Sequence, residues 1–307
     1  MIRFSLCNSF KLLALPAALL LSAFVSQAAA DLTHRYSFTT NADDSVGTAH
    51  GTLVNVATVS GGQLQLNNAN FSGPSTAGGY LSLPPSILPS SGSVTIEQWF
   101  NFTGSGFFTE AYTFSDNNND TAGPGANNGQ YLMHTISAPQ GGPSASLMPP
   151  AGGSHIAQSL AGYGGGAETD AFETTQGIGA GGGGGYLDDG MNYMAATVID
   201  GNAGTLSYYL FRLSDGVGGL QQTIPAIPLS SYSFTNAYLG RSAFGGDNST
   251  SGTVDEFRIY NNAKSAAELL ADFNAGPSVV VPEPSTLALA TIGFLAAGTV
   301  ITRRRKS

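Results

Sequence analysis

The chain has 307 residues, of which 10% are charged and 42% hydrophobic, with 41 glycines, one cysteine and a formal net charge of −9. Between Asp31 and Pro282 five basic residues (Arg35, Arg212, Arg241, Arg258, Lys264) face nineteen acidic ones, a formal charge of −14, which makes nucleic acid and anionic lipid surfaces poor partners and cations good ones. The single thiol, Cys7, lies near the N-terminus, so disulfides, cysteine-ligated metal and thiol catalysis are excluded from everything after it.

In chain order, the first element is a targeting segment. Arg3 and Lys11 precede an apolar stretch from Leu12 to Val25, and Ala28-Ala29-Ala30 supplies small residues for a signal peptidase. Residues 1–30 are therefore expected to be removed, leaving Asp31 as the mature N-terminus. Residues 31–276 read as one all-β domain. Short runs rich in aromatic and β-branched residues alternate there with Gly, Asn, Ser and Pro clusters. Strands are expected over 32–38, 63–66, 80–83, 94–102, 112–115, 131–137, 193–199, 206–213, 237–240 and 254–260, a number that suits a two-sheet sandwich. A single helix is expected over 265–273, with Ser265 and Glu268 at capping-box spacing and Gly276 able to end it. It is expected to cover one end of the sheets. Residues 117–190 are rich in Gly, Asn, Ala and Pro and are read as long loops between the middle strands.

The C-terminal part, residues 277–307, is organised differently. Pro282-Glu283-Pro284 is followed by an uncharged stretch over 285–302 and then by Arg303-Arg304-Arg305-Lys306. As a helix rising about 1.5 Å per residue the stretch reaches roughly 27 Å, enough to span a thin membrane with the cations on the cytoplasmic side. This order of parts resembles the PEP-CTERM sorting tail of Gram-negative bacteria. The resemblance implies export, a membrane anchor, and processing near Pro282-Glu283-Pro284 by an exosortase-type enzyme, with the product held in the envelope or released to the matrix.

The strand motifs carry a second resemblance. Leu32-Thr33-His34-Arg35-Tyr36-Ser37-Phe38, Thr95-Ile96-Glu97-Gln98-Trp99-Phe100, Leu239-Gly240-Arg241 and Gly252-Thr253-Val254-Asp255-Glu256-Phe257-Arg258-Ile259-Tyr260-Asn261 occur in the order found in laminin-G-like jelly rolls of the concanavalin A type. The chain departs from that pattern at Met191-Asn192-Tyr193, where many members have a Trp-His pair. The resemblance implies a two-sheet jelly-roll sandwich whose first and last strands pair antiparallel, and members bind carbohydrate, protein or calcium. That pairing would bring Asn41, Asp43 and Asp44 beside Asp255, which alternation points inward with Phe257 and Ile259, and a calcium ion would offset the converging carboxylates. Satisfaction of Asp255 by backbone N–H groups or by Arg35 is the alternative. A second cluster, Asp116 to Asp120, has part of a calcium-loop spacing, but Thr121 and Asn127 replace the required Gly and Glu.

Related jelly rolls include β-glucanases, and Glu168-Thr169-Asp170-Ala171-Phe172-Glu173 fits the looser form of their E-x-D-x-x-E signature, with Glu168 as nucleophile, Asp170 as helper and Glu173 as acid. The glycine-rich flanks argue against a rigid catalytic strand there. The four histidines are scattered without metal or nucleophile spacing. Trp99 falls on the opposite face from Val94, Ile96, Phe100 and Phe102, either as a sugar platform or packed beneath the central loops. The composite expectation is an exported, non-catalytic module that binds polysaccharide, with a purely structural matrix protein and a glycoside hydrolase as alternatives.

Overall fold

The computed structural model describes residues 32–68, 75–104, 106–116, 129–138, 153–162, 168–175, 178 and 186–281. The signal segment 1–30 and the hydrophobic stretch 285–302 lie outside them. No helix among the described residues is long and apolar enough to cross a membrane.

Among the described residues, fifteen strands and one α-helix occur in this order: β1 (Leu32–Tyr36), β2 (Thr52–Val54), β3 (Thr58–Ser60), β4 (Gln63–Gln65), β5 (Tyr80–Leu83), β6 (Val94–Phe102), β7 (Thr109–Ser115), β8 (Tyr131–Ala138), β9 (Gly153–Ser159), β10 (Glu168–Phe172), β11 (Tyr193–Asp200), β12 (Thr205–Arg212), β13 (Gly218–Pro225), β14 (Asn236–Leu239), β15 (Gly252–Tyr260) and α1 (Ala266–Ala275). They form two antiparallel sheets. The eight-stranded sheet runs β13-β12-β11-β6-β15-β4-β3, and β1 shares with β4 the edge of β15 that β6 leaves free. The seven-stranded sheet runs β10-β9-β8-β7-β14-β5-β2.

Alternation in β6 sets the core. Val94, Ile96, Phe100 and Phe102 enter the apolar layer between the sheets, where they meet Leu132, Ile136 and Ile156 of the opposite sheet and Phe257 and Ile259 of β15. Polar groups inside this layer bond across the sheets. Tyr112 Oη meets Thr197 Oγ1 at 2.6 Å, Tyr208 Oη meets Ser154 Oγ at 2.6 Å, and His134 Nε2 lies 3.1 Å from the Tyr208 hydroxyl. Burial pushes His134 down to about 3, so it stays neutral. These bonds satisfy groups that would otherwise be costly to bury, and they hold the two sheets in register.

The structure corrects the expected loops. β9 and β10 lie within 117–190, and β2, β3 and β13 are also strands, too short or too polar to be read from local composition. All five gain their conformation from a ladder with a neighbour, a tertiary effect that outweighs weak local propensity. The helix forms where expected. Ser265 Oγ accepts from the Glu268 N–H, the Glu268 carboxylate accepts from the Ser265 N–H at 2.7 Å, and Gly276, at φ 79°, donates to the Asp272 and Phe273 carbonyls. Its position differs from the expected one. Leu269 packs with Trp99, Met194, Ala196, Val198 and Phe211, so α1 covers the outer face of the eight-stranded sheet rather than an end of the sandwich.

Candidate functional site

The acidic segment is on a strand, but the strand is the outermost of its sheet. Its register with β9 is regular from Glu168↔Ser159 to Phe172↔His155, without a bulge. Strict alternation therefore sends Glu168 and Asp170 to one face and Glu173 to the other. Glu168 accepts a hydrogen bond from Tyr131, which belongs to the cluster with Met133, Ala157, Ala243 and Phe244 outside the seven-stranded sheet. Glu173 is fully buried, and its charge bears on the core hydroxyls of Tyr208 and Tyr193. A hydrolase needs its two carboxyl groups flanking one glycosidic bond, about 5 Å apart in a retaining enzyme. Carboxylates on opposite faces of a sheet do not meet that condition, which the hydrolase alternative for Glu168, Asp170 and Glu173 requires.

The carboxylates expected to share calcium are also separated. Asp44 is used by its own loop: Oδ2 lies 2.6 Å from His34 Nδ1, and its oxygens accept from the backbone N–H groups of Arg35, Val46, Gly47 and Ala49. Burial alone would raise this carboxyl, but the His34 bond and the N–H groups prevail and hold it at about 2. Asp43 pairs with Asn41 Nδ2 at 2.5 Å and lies 3.4 Å from His50 Nδ1. Asp255 accepts from Gln63 Nε2 at 2.6 Å. The register between β15 and β6 shifts between Val254 and Glu256, and this bulge breaks the alternation that would have aligned Asp255 with Phe257 and Ile259. Among the described residues no group of three or more His, Cys, Asp or Glu could hold a metal ion. Of the second acidic cluster only Asp116 is described; its N–H donates to the Gln130 carbonyl at 3.1 Å.

Trp99 is not a sugar platform. It is fully buried, covered by Leu269 of α1, and the Arg258 guanidinium lies 4.5 Å above its ring. Around it lies an ionic layer that composition alone does not reveal. Lys264 Nζ pairs with Glu97 Oε1 at 3.0 Å and also with Asp272 of α1, and Arg258 Nε bonds Glu256 Oε1 at 2.8 Å, an acid that Arg35 also contacts. Three acids and three bases balance. Burial pushes the Glu97 carboxyl up against the pull of Lys264 and Arg258.

The exposed chemistry sits elsewhere. Phe107 is the one aromatic among the large apolar side chains exposed on the described residues, at 48%, and its ring meets Tyr186 edge to face with centroids 5.8 Å apart. The turn that presents it is tightly held. Gly104 and Gly106 take φ of 55° and 34°, and Phe108, at φ 57°, adopts a conformation unusual for a bulky residue. Three segments bond this turn: Gly104 N–H donates to Asp188 O at 2.9 Å, Phe108 N–H to Ser137 O at 2.7 Å, and the loop before β15 is bonded twice, Thr103 N–H to Ser251 O at 3.1 Å and Asn248 Nδ2 to Phe107 O at 2.8 Å. These bonds hold the described residues on both sides of the outward Phe107 ring. The sequence signal is Phe107-Phe108 set between glycines and a strand, which is too short for periodicity to register.

Comparison with known proteins adds two findings. The PEP-CTERM protein-sorting motif matches residues 280–306. The match includes Pro282, Glu283, Pro284, Arg303, Arg304 and Arg305, whose conformation lies outside the described residues; it indicates an exported protein sorted to the envelope and implies exosortase processing. No curated protein matches the chain by sequence. Among solved structures, domain 4 of AbnA, a GH43 extracellular arabinanase from Geobacillus stearothermophilus in complex with arabinotriose, is similar with 18% identity over 78% of this chain and 96% of that one, at a TM-score of 0.51. The binding domain of botulinum neurotoxin DC in complex with rat synaptotagmin II is similar with 13% identity over 80% of this chain and 51% of that one, at a TM-score of 0.50. At these identities the likeness is one of fold.

Proposed function

We propose that the chain is an exported, non-catalytic binding module, a jelly-roll sandwich of the laminin-G-like, concanavalin A-like kind, that holds a neutral polysaccharide outside the cytoplasm. The observation that carries this reading is the Phe107–Tyr186 pair: an exposed aromatic ring backed by a second ring suits the apolar face of a sugar ring, and the surplus of acidic side chains disfavours anionic chains. The separation of Glu168 from Glu173 supports binding without hydrolysis. The domain architecture in this reading is a signal segment over 1–30, the module from residue 31, and a sorting tail with a membrane-crossing stretch over 285–302. The fold shared with an arabinanase domain seen with arabinotriose is consistent with a glycan ligand.

A glycan array probed with the mature protein, then titration calorimetry on the best ligand, tests the proposal. Saturable binding of a neutral polysaccharide is expected, and Phe107→Ala should weaken it roughly tenfold, equivalent to about 1.4 kcal/mol, without changing the melting temperature. Binding by no glycan at all would leave the purely structural matrix role standing instead.

A further inference from the structure

The described chain does not leave the sandwich at the end of α1. Beyond Gly276, residues 277–281 form a strap across the edge where β1 meets β15. Both N–H groups of Arg258 Nη2 are taken by this strap, with Pro277 O at 2.5 Å and Val279 O at 2.9 Å, while Arg35 Nη2 donates to Ser278 O at 3.4 Å. Three consecutive carbonyls are thus read by two guanidinium groups. The receptor is built into the fold: Arg258 is fully buried, stands over Trp99, and shares the Glu256 carboxylate with Arg35. The folded part therefore extends past the expected boundary at Gly276, and the sorting motif, which begins at residue 280, starts on the docked segment.

We propose that Arg258 and Arg35 form a clamp for the chain's own strap, and that processing at Pro282-Glu283-Pro284 requires the strap to lift from the sheet. The proposal rests on the reading of the tail as a processed sorting signal. Val279, the last clamped residue, precedes Pro282 by three positions, and chain covers at most about 3.3 Å per residue, so the start of the processing site can reach no further than roughly 10 Å from the clamp. A membrane enzyme that grips extended chain on both sides of a scissile bond lacks room for that grip while the strap is seated. Release exposes donors that the strap carbonyls satisfy, so the seated form is the ground state and opening is a local event. Processing then acts on a small open population, and its rate follows the strength of the clamp.

The test is a pulse-chase measurement of precursor-to-mature conversion in the native host. Arg258 is buried, so its replacement risks the fold; two milder changes avoid this. Inserting six Gly/Ser residues between Val281 and Pro282 leaves the clamp intact but moves the site away, and Arg35→Gln removes the contact with Ser278. Both are expected to speed conversion severalfold, the insertion with no change in melting temperature, and Arg35→Gln should also speed limited proteolysis within 277–281. Conversion of the insertion variant at the wild-type rate or slower would overturn the clamp while leaving tail processing in place. A wild-type precursor that never converts would remove the processing reading and the clamp with it.

Discussion

Glu110 and Asp247 show how burial, more than any partner, can set the behaviour of a residue. Glu110, on β7, is fully enclosed and one of its oxygens has no hydrogen-bond partner, while Asp247 accepts from Ser242 Oγ at 2.6 Å. Burial raises Glu110 well above the ordinary carboxylate range, with the Asp247 charge adding to it, and burial pushes Asp247 up to about 7. Folded-state values above the unfolded ones mean that the stability Asp247 contributes is complete below about pH 4 and is lost as pH rises through about 7, and that the Glu110 contribution is likewise lost above the ordinary carboxylate range. The wild-type melting temperature is therefore expected to carry a downward component between those limits. Glu110→Gln with Asp247→Asn should flatten it, and an unchanged slope in that double variant would count against the assignment. Nothing in the sequence pairs these two acids, which are far apart along the chain.

Among the secondary-structure elements, the seam between α1 and the eight-stranded sheet is built on one large side chain, Trp99. The capping box and the terminal glycine are local and legible in the sequence, as are the limits of β5 and β6, because each depends only on neighbours within a few positions. What the helix covers is not local. Trp99 lies beneath Leu269, and Phe273 stacks on Phe211 with centroids 4.9 Å apart. Trp99→Ala is expected to destabilise the protein by about 3–5 kcal/mol in a urea titration, the usual cost of emptying a buried aromatic site. A surface platform at this position predicts a change within about 0.5 kcal/mol. Strands such as β9 and β10 are illegible for the converse reason: their residues have little intrinsic preference for extended chain, and only the ladders of β9 with β8 and of β10 with β9 make them strands.

For the molecule as a whole, the sorting motif and the sandwich make one prediction together. Mass spectrometry of protein recovered from the native host should find neither residues 1–30 nor Arg303 to Lys306, while the strap through Val281 remains attached to the domain. Recovery of the intact arginine cluster would indicate a permanent anchor. Short contiguous patterns are enough to encode the sorting tail, the all-β class, the strong strands and the capped helix, and these are readable before any folding is considered. Long-range packing determines which acids meet. It lets a bulge carry Asp255 to Gln63, and sets Arg35, Arg258 and Lys264 in one ionic layer beside the strap and α1. The physical reason is range. Capping, alternation and hydropathy act over a few residues, whereas charge pairing, burial and strand registry depend on segments brought together only when the two sheets close.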